Sequence, residues 1–358
     1  MTRWKPIPPK LLHQILLTRE YLMKRLLPLT VVLISLAISL HGFSPLVAQE
    51  TKAKKAKPAG KTGVELRAKR GVEAVAKGME LSEEQKTLLH ESLLAKYKGN
   101  ASKLNIDTPN EERKKVWVAS NAVFTESMSA QFSKKELREA NKLIRAENEK
   151  DRIFNGKDLE GWEQVNGIAT YEVIDGEIVG TTATGSPNSF LATKKKYSNF
   201  DLSFDVFLVS NELNSGVQIR SNLHTEETLA TSKNKKHPVG RVFGYQCEIE
   251  AAAEGDLDTK KYGDAGYIYD EARRGWLVDD ETRHAAKTRG AFRNQKWNRI
   301  RIKADGDHIQ TWINSKKICD LKDDMTASGF IALQVHGIGT REDKWQVKWR
   351  NINLRELP

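Results

Sequence analysis

Cysteine is nearly absent: Cys247 and Cys319 are the two in 358 residues. A disulfide framework is therefore excluded, although one bridge between the pair stays open. No Cys/His spacing suits a zinc site. Cys247 alternates with Tyr245 and Ile249, which aims it into a core as a small hydrophobe. An excess of positive charge is also missing from most of the chain, despite a net charge of +11. Residues 1–48 carry six Lys/Arg and one Glu, and residues 49–80 carry nine and four, so only one net charge remains from Leu81 onward. The basicity belongs to the leader and linker, which disfavours nucleic acid as a partner.

The N-terminus reads as a targeting segment. Met23-Lys24-Arg25 precedes an apolar run over residues 26–40, then Ser44-Pro45-Leu46-Val47-Ala48. That is the basic region, apolar region and small-residue cut of a secretory signal peptide. The run is short of the ~20 residues of a comfortable span, so no stable membrane span is expected after cleavage. Neither cysteine lies near enough to make a lipoprotein. Residues 1–22 fit no part of such a peptide, which makes Met23 the expected translation start. The product is expected to be exported, periplasmic or held at the cell envelope.

Four segments follow: a signal peptide over 1–48, a basic low-complexity linker over 49–63, a small helical region over 64–150 and a β-rich domain over 151–358. The linker is too charged and too poor in apolar groups to pack. Ser82 and Ser133 open helices, and Leu88, Leu89, Leu93, Leu94 and Tyr97 recur at helical spacing after the first. From Asp151 the segments become short, alternating and rich in Val, Ile, Trp and Phe. Expected strands cover 171–180, 201–209, 216–221, 244–250, 297–304, 310–314, 329–336 and 345–354. Asp175-Gly176, Gly306 and Asn314-Ser315 mark hairpins. So many strands without intervening helices predict an antiparallel β-sandwich of jelly-roll type.

Alternation assigns the faces. Val217 and Ile219 point inward, as do Tyr245, Cys247 and Ile249, and Ile331, Leu333 and Val335. The outward sets are Gln218 and Arg220, then Gln246, Glu248 and Glu250, then Gln334 and His336. Close behind in the chain come Tyr269, Asp270, Glu271, Arg273, Arg274 and Trp276. Carboxylates, guanidinium groups and an indole at this density are what a sugar-handling groove uses. Glu248 is the candidate acid or base, tuned by Arg220 or His336. Arg220 is the candidate oxyanion holder, and Trp276 stacks on a pyranose face. Arg273 and Arg274 contact substrate or else pair with Asp270 and Glu271 to brace the loop.

The segment Arg152-Ile153-Phe154-Asn155-Gly156-Lys157-Asp158-Leu159-Glu160-Gly161-Trp162 resembles the opening signature of the 3-keto-disaccharide hydrolase family. Further matches are Asn214-Ser215-Gly216-Val217-Gln218-Ile219-Arg220, Gly244-Tyr245-Gln246-Cys247-Glu248-Ile249, Gly266-Tyr267-Ile268-Tyr269-Asp270 and Leu333-Gln334-Val335-His336-Gly337. The resemblance spans about residues 152–357. It implies a concanavalin A-like fold and a 3-keto-glucoside 1,2-lyase/3-keto-2-hydroxyglucal hydratase activity on a 3-keto-glycoside. In that chemistry Glu248 or His336 would remove the C2 proton, with Arg220 and Gln246 stabilising the enediolate. The remaining polar residues, Gln218, Glu250, Tyr269, Asp270, Glu271, Arg273, Arg274, Trp276 and Gln334, would bind substrate. A divalent metal at the enediolate is chemically reasonable, with Glu248 and His336 as candidate ligands. Many members of the family carry Glu at position 246 and Gln at 248; here the two are exchanged.

Two rival readings are open. A retaining laminarinase-type glucanase would use Glu248, Glu250 and Glu254, and needs two carboxyls ~5–5.5 Å apart. A non-catalytic carbohydrate-binding module would use the same face without turnover.

Overall fold

The computed structural model describes residues 63–231, 237–251, 264–283 and 290–358. The leader, nearly all of the linker and Glu254 lie outside the described residues. Among the described residues no helix is long and apolar enough to cross a membrane.

Four helices come first: α1 (Gly63–Gly78), α2 (Glu83–Lys103), α3 (Asn110–Met128) and α4 (Lys134–Glu149). Gly63, assigned above to the linker, already opens α1. Ser82 and Ser133 cap α2 and α4 through complete capping boxes, with Gln85 and Glu136 reaching back to the cap amides. The same short motif thus starts two helices for the same reason, because it satisfies two otherwise orphaned backbone donors. Helix α1 packs on α2 and α4, and α2 packs on α3. Val75, Leu89, Leu93, Tyr97, Met128, Phe132 and Ile144 fill the space between them. The helices also meet the β-domain, where the Arg350 guanidinium donates to the Ile106 carbonyl at 2.6 Å.

The β-domain contains β1 (Trp162–Val165), β2 (Thr170–Ile174), β3 (Glu177–Thr181), β4 (Ser189–Thr193), β5 (Phe200–Leu208), β6 (Ser215–Leu223), β7 (Val242–Ile249), β8 (Ile268–Glu271), β9 (Gly275–Trp276), β10 (Asn298–Asp305), β11 (His308–Ile313), β12 (Lys316–Lys322), β13 (Phe330–Val335) and β14 (Gln346–Glu356). Two short helices, α5 (Glu226–Thr231) and α6 (Asp280–Arg283), lie in connections. The strands form two seven-stranded antiparallel sheets, ordered β1-β4-β13-β6-β7-β8-β9 and β12-β11-β10-β5-β14-β3-β2. This is the concanavalin A-like sandwich. At the β2–β3 hairpin Asp175 and Gly176 both take positive φ, 52° and 78°, the geometry of a type I′ turn.

Between the sheets, Val217, Ile219, Tyr245, Cys247, Leu333 and Val335 of one pack with Leu202, Phe204, Val206, Ile300, Val347 and Trp349 of the other. The inward sets read from alternation are therefore core. Cys247 and Cys319 are buried free thiols, so the possible bridge does not form. In the opening signature, the Asn155 side chain accepts from the Lys157 and Asp158 amides at 2.7 and 3.1 Å, and the Trp162 indole donates to the Ile153 carbonyl at 2.9 Å. That motif folds the domain entrance and contributes nothing to the site.

Candidate functional site

The site lies on the outer face of the first sheet, where β4, β13, β6, β7 and β8 run side by side. A cleft of about 410 Å³ opens over this face. Its wall is drawn from Glu248 and Gln246 on β7, Gln334 on β13, Tyr269 and Glu271 on β8, Trp276 on β9, and Glu250 and His336 just past strand ends. Asn188, Asn214 and Asp264 complete it. Registry explains the convergence, since Gln246 stands opposite Gln218 on one side and Tyr269 on the other.

The outward face is not a solvated one. Gln218, Gln246 and Gln334 are at most 2% exposed and Glu248 is 5% exposed. Buried amides need partners, and here they supply one another. Ser221 Oγ donates to Gln218 Oε1 at 2.7 Å, and Gln218 Nε2 donates to Gln246 Oε1 at 2.6 Å. Gln334 Nε2 donates to the same Gln246 oxygen at 2.9 Å. Gln246 Nε2 then donates to Glu248 Oε2 at 2.8 Å, while Asn214 Nδ2 donates to Glu248 Oε1 at 2.5 Å. Every donor in this relay points toward Glu248, so its two oxygens are fixed in orientation by neutral amides. Gln334 lines the cleft, and its Oε1 is buried with no partner.

Glu248 has no Lys or Arg partner among the described residues. Burial pushes its carboxyl up to about 8; the Gln246 and Asn214 amides pull it down, and the charges of Glu250 and Glu271 add to the rise. Burial also raises Glu250, with the Asp264 charge adding and His336 and Arg283 opposing. Glu271 is held in an ion pair with Arg241. Trp276 meets Tyr269 edge to face at 5.1 Å, and the Arg283 guanidinium covers the indole at 4.0 Å. Arg283 is itself held by Asp264 at 2.5 Å. His336 is exposed at the rim, its Nδ1 2.8 Å from the Gly337 carbonyl.

Five residues expected at the site lie elsewhere. Arg220 does not reach the cleft, because β6 bulges between Ile219 and Asn222 and Arg220 takes a φ of 46°. Its guanidinium donates instead to the Ser198 and Gly306 carbonyls at 2.6 and 2.7 Å, in the connections before β5 and after β10. It braces loops, and the oxyanion role assigned to it is corrected. Gln218 sits behind the cleft wall as a link in the relay. Asp270 stands opposite Tyr245, on the core-facing parity, and is fully buried. Both Arg273 and Arg274 pair with Asp270, and Arg274 also pairs with Asp323 at 2.8 Å. Those arginines brace the loop and do not line the cleft.

Asn188 and Asn214 escaped the sequence reading, although each stands two residues before an outward position and one more step of alternation finds them. Asp264 lies in irregular backbone with no pattern to reveal it. For a divalent metal the fit is poor. No group of three His, Cys, Asp or Glu side chains is placed to hold an ion among the described residues.

Gly216 makes the relay possible. A Cβ there would lie 2.5 Å from Gln246 Cδ, so the amide lies where a side chain would otherwise stand. Gly216→Ala is expected to displace Gln246 and cost about 1–3 kcal/mol of stability through overpacking. Thermal melts of the variant check this.

Residues 149–355 match the profile of the 3-keto-alpha-glucoside-1,2-lyase-like domain. No curated protein sequence matches. Among solved structures, a glycosyl hydrolase described as putative from Parabacteroides distasonis is 18% identical, with 57% of this chain and 93% of that one covered and a TM-score of 0.38. The carbohydrate-binding module CBM66 from Bacillus subtilis is 15% identical over 55% and 96% of the two chains, with a TM-score of 0.33. A lichenase from a mouse hindgut metagenome is 14% identical over 55% and 93%, with a TM-score of 0.32.

Proposed function

The chain belongs to the 3-keto-alpha-glucoside-1,2-lyase-like family of carbohydrate-active domains, and we propose that it cleaves 3-keto-glycosides by elimination, with Glu248 as the base. The observation that carries this is the state of Glu248: buried at the cleft, unpaired with any cation among the described residues, and raised to about 8. Elevation makes a carboxylate a stronger base, and a group near the working pH suits proton transfer. Its amide partners leave lone pairs on both oxygens.

The ketone at C3 acidifies the C2 hydrogen. Glu248 takes that proton, and the bonding pair forms C2=C3 with negative charge on the former keto oxygen. When the pair returns, C1=C2 forms, the C1–O bond breaks, and the departing oxygen gains the proton held by Glu248. Water added across C1=C2 completes a net hydrolysis. The Tyr269 hydroxyl and the His336 imidazole are groups of the cleft that can donate to the developing oxyanion, in place of Arg220. Trp276 with Tyr269 supplies apolar surface for a pyranose. The exchange of Gln and Glu at 246 and 248 keeps both side chains on one face, since two residues is one strand period, and moves the carboxylate by roughly 7 Å.

The test is incubation with a 3-keto-glucoside and with its unoxidised parent. Aglycone released from the keto sugar alone supports elimination. Release from the parent would make the protein an ordinary glycosidase. Binding without turnover of either would make it a binding module. We place the enzyme outside the cytoplasm, with cleavage after Ala48; N-terminal sequencing of secreted protein checks this.

A further inference from the structure

The helical region carries a second pocket, of about 390 Å³, between α2 and α3. Leu88, Val116, Val123 and Phe124 give it an apolar lining. Its serines are satisfied: Ser127 Oγ donates to the Phe124 carbonyl and meets Ser92 Oγ, and Ser120 Oγ donates to the Trp117 carbonyl. Asn100 is not. It lines the pocket and is 5% exposed, yet both its Oδ1 and its Nδ2 are without a partner. An amide buried this way is costly, because it has lost water at both ends and gained nothing.

One helical turn earlier on the same face, Lys96 also lines the pocket. Its ammonium lies 4.7 Å above the Phe124 ring and has no carboxylate partner among the described residues. Burial lowers it to about 8, with Arg67 adding like-charge repulsion. The pocket therefore offers the Lys96 cation, one amide donor and one amide acceptor, all unmet, against an apolar wall, while the exposed Lys103 and Glu91 also line it with one charge of each sign. A volume of this size holds a small ligand.

We propose that this pocket binds a small organic acid: a carboxylate carried on an alkyl or aromatic body, with an N–H or O–H beside it. The carboxylate accepts from Lys96 Nζ and Asn100 Nδ2, the neighbouring donor meets Asn100 Oδ1, and the body lies on Val116, Val123 and Phe124. The site is independent of the sugar cleft and stands or falls separately from the lyase reading.

N-acetyl-L-phenylalanine, its methyl ester and the full-length protein make the test, read by calorimetry. The acid is expected to bind saturably and at least about tenfold more tightly than the ester. Lys96→Met and Asn100→Leu should each weaken it about tenfold or more. Asn100→Leu should leave the unfolding midpoint unchanged or higher, because it removes an unsatisfied buried amide. Equal binding of acid and ester, or no saturation by about 10 mM acid, overturns the proposal. So does a lowered midpoint for Asn100→Leu, which would make Asn100 a structural residue. A second copy of the chain covering the pocket would also overturn it, and would show as a dimer in sedimentation that Val123→Arg dissociates.

Discussion

Glu248→Gln is expected to reduce kcat/KM on a 3-keto-glucoside by about 10²–10⁴ and, at pH 8 and above, to stabilise the protein. The two effects share one cause. Burial raises the Glu248 carboxyl from 4.5 to about 8, so the folded protein holds that proton more tightly than the unfolded chain. A raised carboxyl contributes stability that is fully present below the unfolded value and is lost as pH climbs through about 8. Within that window unfolding free energy should fall with rising pH, by at most about 1.4 kcal/mol per unit from this group. Glutamine does not ionise, so the variant should lose this slope. Activity runs the other way, because the base works only when ionised. Log kcat/KM of the native enzyme should rise with pH and level off near 8. A variant retaining more than about a tenth of native activity would remove Glu248 from the proton-transfer step. A stability profile with unaltered slope would show that the carboxylate is ionised throughout.

The parts of the fold written in alternation were readable in advance. Tyr245, Cys247 and Ile249 had to share a face, and Gln246, Glu248 and Glu250 the other, because a strand permits nothing else. The Asp175-Gly176 turn was equally forced, since two consecutive positive φ values suit few residue pairs. What alternation cannot report is depth. Alternation assigns Gln218, Gln246 and Gln334 outward, yet all three are buried. Three uncharged glutamines on neighbouring strands are the clue, because amides carry both donor and acceptor and can satisfy one another without water, whereas side chains of like charge cannot. The bulge at Arg220 was hidden for another reason: Ile219 and Ser221 continue a regular pattern on either side of it. Its trace lies on the adjacent strands. A Cβ on Gly244 would meet Ser221 Oγ at 2.7 Å, and one on Gly329 would meet the Ser221 carbonyl at 2.2 Å. Both neighbours of the bulge carry glycine because the displaced backbone occupies the space a side chain would need.

Asp270→Ala is expected to lower unfolding free energy by about 3 kcal/mol or more, without Asp270 ever touching substrate. Asp270 has no exposed surface, and its two oxygens hold Arg273 at 2.8 Å and Arg274 by a second contact. Removing the carboxylate leaves two partly buried guanidinium groups around an empty space. The cost comes from stranding those charges, and it exceeds the net worth of the pairs. Arg274 keeps Asp323, which also accepts from the Tyr245 hydroxyl, so the lower end of the usual range applies. Arg273 keeps only the Thr326 hydroxyl, at 2.9 Å, and its stacking over Phe243 and Tyr245. For a domain of this size 3 kcal/mol corresponds to a midpoint lowered by roughly 6–12 °C. Arg274→Ala separates bracing from substrate contact. If the arginine only braces, its loss lowers the midpoint and leaves KM for the keto sugar unchanged, because Arg274 is absent from the cleft wall. A KM raised tenfold or more, with the melt unaffected, would return Arg274 to the binding surface and overturn the position assigned to this loop.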